Sequence, residues 1–194
     1  MSTQLIHLSY AGLAPWLALT LLLLGRSPHL KRSRILVSLI LSFVFLCIPI
    51  RGFSSFRWIS VIEPSPSFIL TGLLALRLIE RLRSQRIFQQ GEWRTAWLFG
   101  TVAALLLYPM GLGLTTIDPY AWGWGAALPI ATTLIATLLL LRGNQFGALL
   151  LLPLVGYWLH FQESSNFWDA VVDPFYALSA LLLLPFSLMQ QRKA

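Results

Sequence analysis

Charged residues are scarce in this chain. They make up 11% of its 194 residues, while 57% are hydrophobic; an ordinary soluble domain carries about 25% charged residues. The mean hydropathy is +0.72, and apolar runs recur along the whole length, so no stretch of about 100 residues remains for a soluble domain. Because backbone inside a bilayer must satisfy its own hydrogen bonds, the composition predicts an all-α, polytopic transmembrane helical bundle. We expect one integral membrane domain over residues 1–194.

Cysteine and the common catalytic signatures are also missing. Cys47 is the only cysteine, which excludes an intramolecular disulfide and a cysteine-based metal cluster. The sequence contains no His-Glu-x-x-His, no Gly-x-Ser-x-Gly and no phosphate-cradling glycine-rich loop. No acid lies in the middle of an apolar run, so an ion-coupled pump would lack its usual buried carboxylate. These absences make an enzyme the less favoured class.

Acidic residues are half as numerous as basic ones, seven against fourteen, which gives a net charge of +7. The basic residues occupy short segments between apolar runs, near residues 26–34, 77–94, 142 and 192–193. This is the positive-inside pattern of cytoplasmic loops, so no nucleic-acid partner is expected. The first apolar run has no basic residue before it, which favours a retained helix over a cleaved signal peptide. The localisation predicted is a bacterial-type inner (plasma) membrane.

The apolar runs predict seven helices, with the N-terminus outside and the C-terminus cytoplasmic. On this layout twelve of the fourteen basic residues lie inside, and only Arg51 and Arg57 lie outside. Six crossings are the alternative, with residues 51–66 forming a re-entrant or interfacial segment. The seven predicted helices cover about residues 8–25, 35–50, 67–79, 95–113, 126–141, 146–160 and 174–189.

An acid followed by proline occurs once in each predicted outer loop, and the three copies begin at residues 63, 118 and 173, 55 residues apart. The spacing suggests three tandem helical hairpins after helix one, an internal repeat for which coincidence is the alternative. Acid before proline is typical of a helix start. The carboxylate accepts hydrogen bonds from the free amides of the first turn, and proline's missing N–H costs nothing at the first helical position. We therefore expect each pair to begin a descending helix: Glu63-Pro64, Asp118-Pro119 and Asp173-Pro174.

The last outer loop, residues 163–174, holds three of the seven acids. Asn166, three residues before Asp169, resembles a capping box that opens a short interfacial helix. The catalytic candidates of the outer face are Asp118, Asp169, Asp173 and His160; helix capping, or a simple hydrogen bond for the histidine, is the competing interpretation. No cofactor is expected, and a Ca²⁺ or Mg²⁺ ion at the outer carboxylates is the alternative.

Aromatic and basic residues of the outer loops are the binding candidates. Aromatic rings there stack on sugars or lipid head groups, or form the aromatic belt common at membrane interfaces. An outer arginine holds an anionic group or pairs with a nearby acid. The candidate binding residues are Arg51, Arg57, Trp122, Trp124, Glu163 and Trp168.

Small loops and missing catalytic motifs favour an accessory or scaffold subunit of an envelope-associated complex, which acts through its outer loops. The expected partners are membrane lipids and a membrane protein or a second copy of the chain. One alternative is an enzyme or binding protein for a lipid-linked or sugar-bearing substrate at the outer leaflet. Another is a small-solute transporter, which pairing of Arg77 with a group other than Glu80, deep in the bundle, would favour. We expect Arg77 and Glu80, one turn apart, to pair with each other.

Overall fold

A computed structural model describes residues 3–25, 32–111, 113–114 and 116–191. The described chain is predominantly helical, with one two-stranded hairpin, so the all-α class is confirmed. Arg26, Lys31, Arg192 and Lys193 lie outside the described residues. The elements are α1 (Thr3–Leu24), α2 (Arg32–Cys47), β1 (Pro49–Ile50), β2 (Phe53–Ser54), α3 (Ser55–Ile62), α4 (Phe68–Arg83), α5 (Gln90–Gly111), a 3₁₀ helix (Pro119–Trp124), α6 (Ala127–Leu141), α7 (Phe146–Leu149), α8 (Leu151–Trp158), α9 (Phe167–Val171) and α10 (Pro174–Gln191).

Each apolar run forms helix where the sequence predicts it, with ends that differ by up to five residues. The sixth run is divided into α7 and α8 at Leu150. Pro153 lies three residues further on; it has no N–H to donate to the carbonyl of Leu149, which explains the break. Among the described helices, the stretch Ile6–Leu24 of α1 is the one long and apolar enough to cross a membrane by itself, while α2, α6, α7 with α8, and α10 supply shorter apolar segments.

Residues 51–66 form no long helix. Arg51 and Gly52 both have positive φ, 49° and 86°, which gives β1 and β2 the tight two-residue turn that antiparallel strands prefer. The amphipathic helix α3 follows, capped by Ser54. The described chain therefore has a hairpin and a short helix between α2 and α4, in the segment that the six-crossing alternative treats as re-entrant or interfacial.

Two contacts between helices organise the bundle. Helices α5 and α10 approach closely at Gly100, where an added Cβ would lie 2.7 Å from Cζ of Tyr176. The Tyr176 hydroxyl is buried and donates to the carbonyl oxygen of Ala96 over 2.6 Å. Helices α1 and α2 are joined by the indole of Trp16, which donates to the carbonyl of Leu39 over 3.1 Å. The largest core cluster takes most of its buried residues from α4, α5, α9 and α10, with single residues from α1, α6 and α7.

The two ends of the bundle carry opposite charge. At one end, called the acidic end, the loops bring together Glu63, Asp118, Glu163, Asp169 and Asp173. At the other, called the basic end, Arg81 donates to the carbonyl of Gly25, and the turn after α6 is bonded to the first turn of α5. The basic end carries Arg34, Arg77, Arg81, Arg83, Arg86, Arg94 and Arg142, together with Glu80 and Glu92.

The three acid-proline pairs play three different parts. Asp173 caps α10 as predicted, since its Oδ1 accepts from the amide of Tyr176 over 2.8 Å. Asp118 caps the 3₁₀ helix rather than α6, so the expectation that this pair begins the descending helix is wrong, although α6 itself begins at Ala127, one residue from its predicted start. The prediction for Glu63 is wrong: α4 begins at Phe68 and its cap is Ser67. Since Glu63 ends α3, it is not available to begin the next helix.

Candidate functional site

A cleft of about 530 Å³ opens at the acidic end, between the start of α10, the end of α5 and the loops around them. Four carboxyl groups line it, from Glu63, Glu163, Asp169 and Asp173, and the rings of Tyr108 and Tyr120 form part of its wall. We call it the acidic cleft. Convergence of the outer acids on one site is only the alternative to helix capping in the sequence, and the contribution of the two tyrosines has no signal there.

Asp173 is the buried carboxylate of this cleft, 3% exposed. Its Oδ1 caps α10 and its Oδ2 accepts from the amide of Ser67 over 2.8 Å. One side chain therefore caps the first turn of α10 and also fixes Ser67, the cap residue of α4. This second contact spans 106 residues of sequence, and no local pattern announces it.

Gln162 fastens the same loops from the other side. Its Nε2 donates to the carbonyl of Pro66 over 2.9 Å and lies 3.3 Å from the carbonyl of Asp169. The carbonyl of Pro66 also accepts from the hydroxyl of Tyr10 on α1, over 2.7 Å. A glutamine next to Glu163 gives no signal in the sequence, so the contacts of Gln162 are found only from the tertiary structure.

Asp169 links the 3₁₀ helix to the last loop. Its Oδ2 accepts from the hydroxyl of Tyr120 over 3.0 Å and from that of Ser164. Burial and the neighbouring carboxylate of Asp169 raise the pKa of Tyr120 to about 12, so the phenol keeps its proton and donates at neutral pH. The predicted capping box is half formed, because Asn166 caps α9 while its own amide donates to Ser164.

The 3₁₀ helix and α9 are in direct contact through Trp168 and Asn166. The indole Nε1 of Trp168 donates to the carbonyl of Pro119 over 2.7 Å, and Nδ2 of Asn166 donates to that of Tyr120 over 3.0 Å. Trp168 is buried, so it supports the wall of the site and offers no stacking face. Trp58 stands five residues before Glu63, as Trp168 stands five before Asp173, but it is exposed and donates to the carbonyl of Ile50. The two tryptophans therefore play different parts, and the repeat itself stays a prediction.

The remaining candidates lie outside the acidic cleft. Asp118 is exposed, and its Oδ1 accepts from the amides of Tyr120 and Ala121. Arg57, on α3, lies 5.8 Å from the centre of the Phe53 ring, and Arg51 lies in the turn of the hairpin. His160 is exposed, and its carbonyl oxygen accepts from Nε2 of His7. The structure therefore divides the candidates: Asp169, Asp173 and Glu163 line the cleft, while those beyond it are Arg51, Arg57, Asp118, Trp122, Trp124, His160 and Trp168.

Within the described ranges, no three histidine, cysteine or acidic side chains are arranged to hold a metal ion. The hydrogen bonds of the cleft acids give the reason: Glu63 and Asp173 each accept from a backbone amide, so these oxygens do not point to a shared centre. The Ca²⁺ or Mg²⁺ alternative gains no support from these groups.

No family model matches the chain, and neither a curated protein nor a solved structure matches it.

Glu63 is the titrating group of the cleft for which we expect a measurable pH effect. Burial, with smaller contributions from Asp173 and Asp169, raises its pKa above the ordinary value of 4.5. The folded protein then binds the proton more tightly than the unfolded chain, so the free energy of unfolding falls as pH rises from the ordinary pKa to the raised one. Glu63→Gln removes this loss while its amide oxygen still accepts from Ser65, and at pH 7 we expect a gain below about 1 kcal/mol, limited by solvent screening.

Thermal unfolding in detergent between pH 4 and pH 7.5 measures this effect. The difference between Glu63→Gln and the unsubstituted protein should grow with pH and then level off. Parallel curves over the whole range would contradict the prediction.

Proposed function

We propose that this chain is a polytopic protein of a bacterial-type inner membrane, and that it acts as an accessory or scaffold subunit of an envelope-associated complex through its acidic end. The observation that carries the proposal is the closed hydrogen-bonded cap at that end. The loops before α4, after α5 and after α8 are bonded to one another by Asp173, Gln162, Asn166 and Trp168. Such a cap is a fixed surface, which lowers the entropy cost of binding a partner.

The exposed flanks of the bundle support membrane insertion. Long apolar side chains on three helices are at least 40% exposed, and an apolar surface of this extent is stable against hydrocarbon rather than water. Helix α6 has 15 residues and rises about 23 Å, so it would need local thinning of a roughly 30 Å bilayer core. The exposed side chains include Leu36, Ile40 and Phe43 on α2; Ile130, Leu134, Leu138 and Leu141 on α6; and Leu178, Leu182, Phe186 and Met189 on α10.

Exposed aromatic and acidic groups on the cap support a protein partner. Trp122 is 45% and Trp124 60% exposed, and the carboxylate of Glu163 is largely accessible. Aromatic residues are enriched in protein interfaces, and surface carboxylates select partners of opposite charge. The partner that fits is therefore a membrane or envelope protein with a basic segment; a second copy of this chain is the other candidate.

Orientation is tested with single cysteines in a Cys47→Ser background. Ser165 and Gln85 are both exposed, at the acidic and the basic end respectively. In intact cells, a membrane-impermeant maleimide should label Ser165→Cys and should label Gln85→Cys only after permeabilisation. The reverse labelling would place the acidic end in the cytoplasm and contradict the proposal.

Partner binding is tested by affinity purification in a mild detergent after crosslinking in cells. A partner should be recovered with the unsubstituted protein, should be reduced about fivefold or more by Glu163→Lys at the acidic end, and should be retained by the matched reversal Arg83→Glu at the basic end. Recovery of the lone protein, or equal recovery with both variants, would overturn the scaffold role.

A binding protein or enzyme for a sugar-bearing substrate is the second candidate, and the acidic cleft favours it. Its volume lies within the range of small-molecule sites, and four carboxyl groups suit an amine-bearing ligand. Glucosamine should then stabilise the protein more than N-acetylglucosamine does, and Asp169→Asn should remove the difference. The transporter alternative gains no support, because Arg77 pairs with Glu80 over 3.2 Å, as predicted.

A further inference from the structure

A second cleft, of about 390 Å³, opens at the basic end between the α4–α5 loop and the last turns of α10. We call it the basic cleft. Arg77 and Arg86 contribute cationic lining, and Leu183 and Phe186 of α10 contribute an apolar wall. A smaller hollow of about 230 Å³ shares the same two arginines and adds Arg81. The basic cleft therefore combines a cationic lining with an apolar wall.

Arg77 is held in a fixed orientation at this cleft. Its guanidinium lies 3.7 Å from the centre of the Trp93 ring, and its Nη1 donates to Glu80 over 3.2 Å. Stacking on an indole restricts the guanidinium plane, and a guanidinium has five N–H donors, more than one carboxylate oxygen can use. Arg77 can therefore bind Glu80 and a further anion at once.

Glu80 neutralises only part of the local charge. It is buried, and its Oε1 accepts from the amides of Ile87 and Phe88 over 3.0 and 2.8 Å, which fixes the loop that carries Arg86. Arg86 is exposed and forms no ion pair with a described residue. Three arginines, at positions 77, 81 and 86, thus face one carboxylate across the two adjoining hollows.

Trp93 lines the basic cleft and has a buried N–H donor without a hydrogen-bond partner among the described residues. The residue is 7% exposed, and its indole Nε1 has no acceptor among the described residues. A buried donor without a partner is costly. An acceptor oxygen supplied by a ligand in the cleft, after a small shift of the ring, would satisfy it.

We infer that the basic cleft binds the phosphate group of an anionic phospholipid, with Arg77 and Arg86 on the phosphate and an acyl chain along Leu183 and Phe186. Guanidinium groups bind phosphate oxygens in pairs of parallel hydrogen bonds. The apolar wall selects a lipid over a free phosphate, because a soluble anion leaves that wall without a contact. Basic pockets between helices on the cytoplasmic side are suited to such head groups.

This inference rests on the proposed membrane crossing, but its test does not depend on orientation. Purified full-length protein in neutral detergent is titrated with phosphatidylglycerol, with phosphatidylcholine of the same acyl chains, and with inorganic phosphate. Tryptophan fluorescence follows the titration, and native mass spectrometry counts retained lipid. A protein that fails to bind lipid in this titration would contradict the inference alone, while the cysteine labelling tests the proposed function independently.

Arg86→Gln should weaken phosphatidylglycerol binding about fivefold, the usual effect of one interfacial arginine. Arg83→Gln is the matched control, exposed on the same segment but outside both hollows, and should change binding less than about twofold. Arg77→Lys keeps the charge and removes the planar fork, so we expect it to weaken binding as well. Unfolding temperatures of the variants confirm that each is folded.

Three results would overturn the inference. Equal losses for Arg83→Gln and Arg86→Gln would indicate general surface charge rather than a site. Equal binding of phosphatidylcholine would remove the anionic selectivity. Inorganic phosphate binding as tightly as phosphatidylglycerol would show that the acyl chain makes no contact.

Discussion

Replacing Asp173 with asparagine is expected to lower the free energy of unfolding by about 3 kcal/mol. The carboxylate is buried and accepts from two backbone amides, those of Ser67 and Tyr176, each over 2.8 Å. Hydrogen bonds to a charged acceptor contribute about 1.5–3 kcal/mol each. Asparagine keeps one acceptor oxygen, but its NH₂ group faces the second amide, so one buried donor loses its partner. Thermal or denaturant unfolding in detergent, followed by tryptophan fluorescence, measures the loss.

Asp118→Asn is the matched control for this substitution. Asp118 also precedes a proline and also caps a helix, but it is exposed and serves a single helix. Asparagine caps as well as aspartate does, so the free energy of unfolding should change by less than about 0.5 kcal/mol. A loss below about 1 kcal/mol for Asp173→Asn, or equal losses for the two variants, would show that Asp173 does not join α4 and α10 as described.

Gly123→Ala is expected to cost about 2–3 kcal/mol, because no side chain fits between the 3₁₀ helix and α9. An added Cβ would lie 1.8 Å from Oδ1 of Asn166 and 2.9 Å from Cδ1 of Trp168. Neither neighbour can move freely: Asn166 is fully buried and bonded at both ends of its amide, and the Trp168 indole donates to Pro119. Overpacking at such a site forces the loops apart or breaks these bonds.

Gly125→Ala provides the control in the same loop. Nothing lies within 4 Å of a Cβ at this position, and its φ of −115° suits alanine, so stability should be unchanged or slightly higher. A double-mutant cycle sharpens the test. In the Gly123→Ala background, Asn166→Ala should cost much less than it does alone, because it removes the clash. Additive losses would contradict the contact.

The loops at the acidic end show what a sequence pattern can indicate and where it stops. Acid before proline correctly marked Asp173 as the cap of α10, since that bond joins residues three apart. The same pattern failed at Glu63, because α3 ends there and α4 takes its cap from Ser67. The pairing of Arg77 with Glu80 is equally local and is confirmed. The stacking of Arg77 on Trp93 joins two different helices, α4 and α5, so no local pattern in the sequence indicates it.

The sequence by itself determined the helical class and the approximate bounds of the helices, because apolar runs and proline act within a few residues of where they stand. It also determined that acids and arginines would be segregated along the chain. Only the tertiary structure decided which groups share a cleft: Tyr120 with Asp169, Gln162 with Pro66, and Ser67 with Asp173 are contacts across 49, 96 and 106 residues. Such pairs depend on how the helices pack, and packing is set by shape and buried volume rather than by any spacing in the chain.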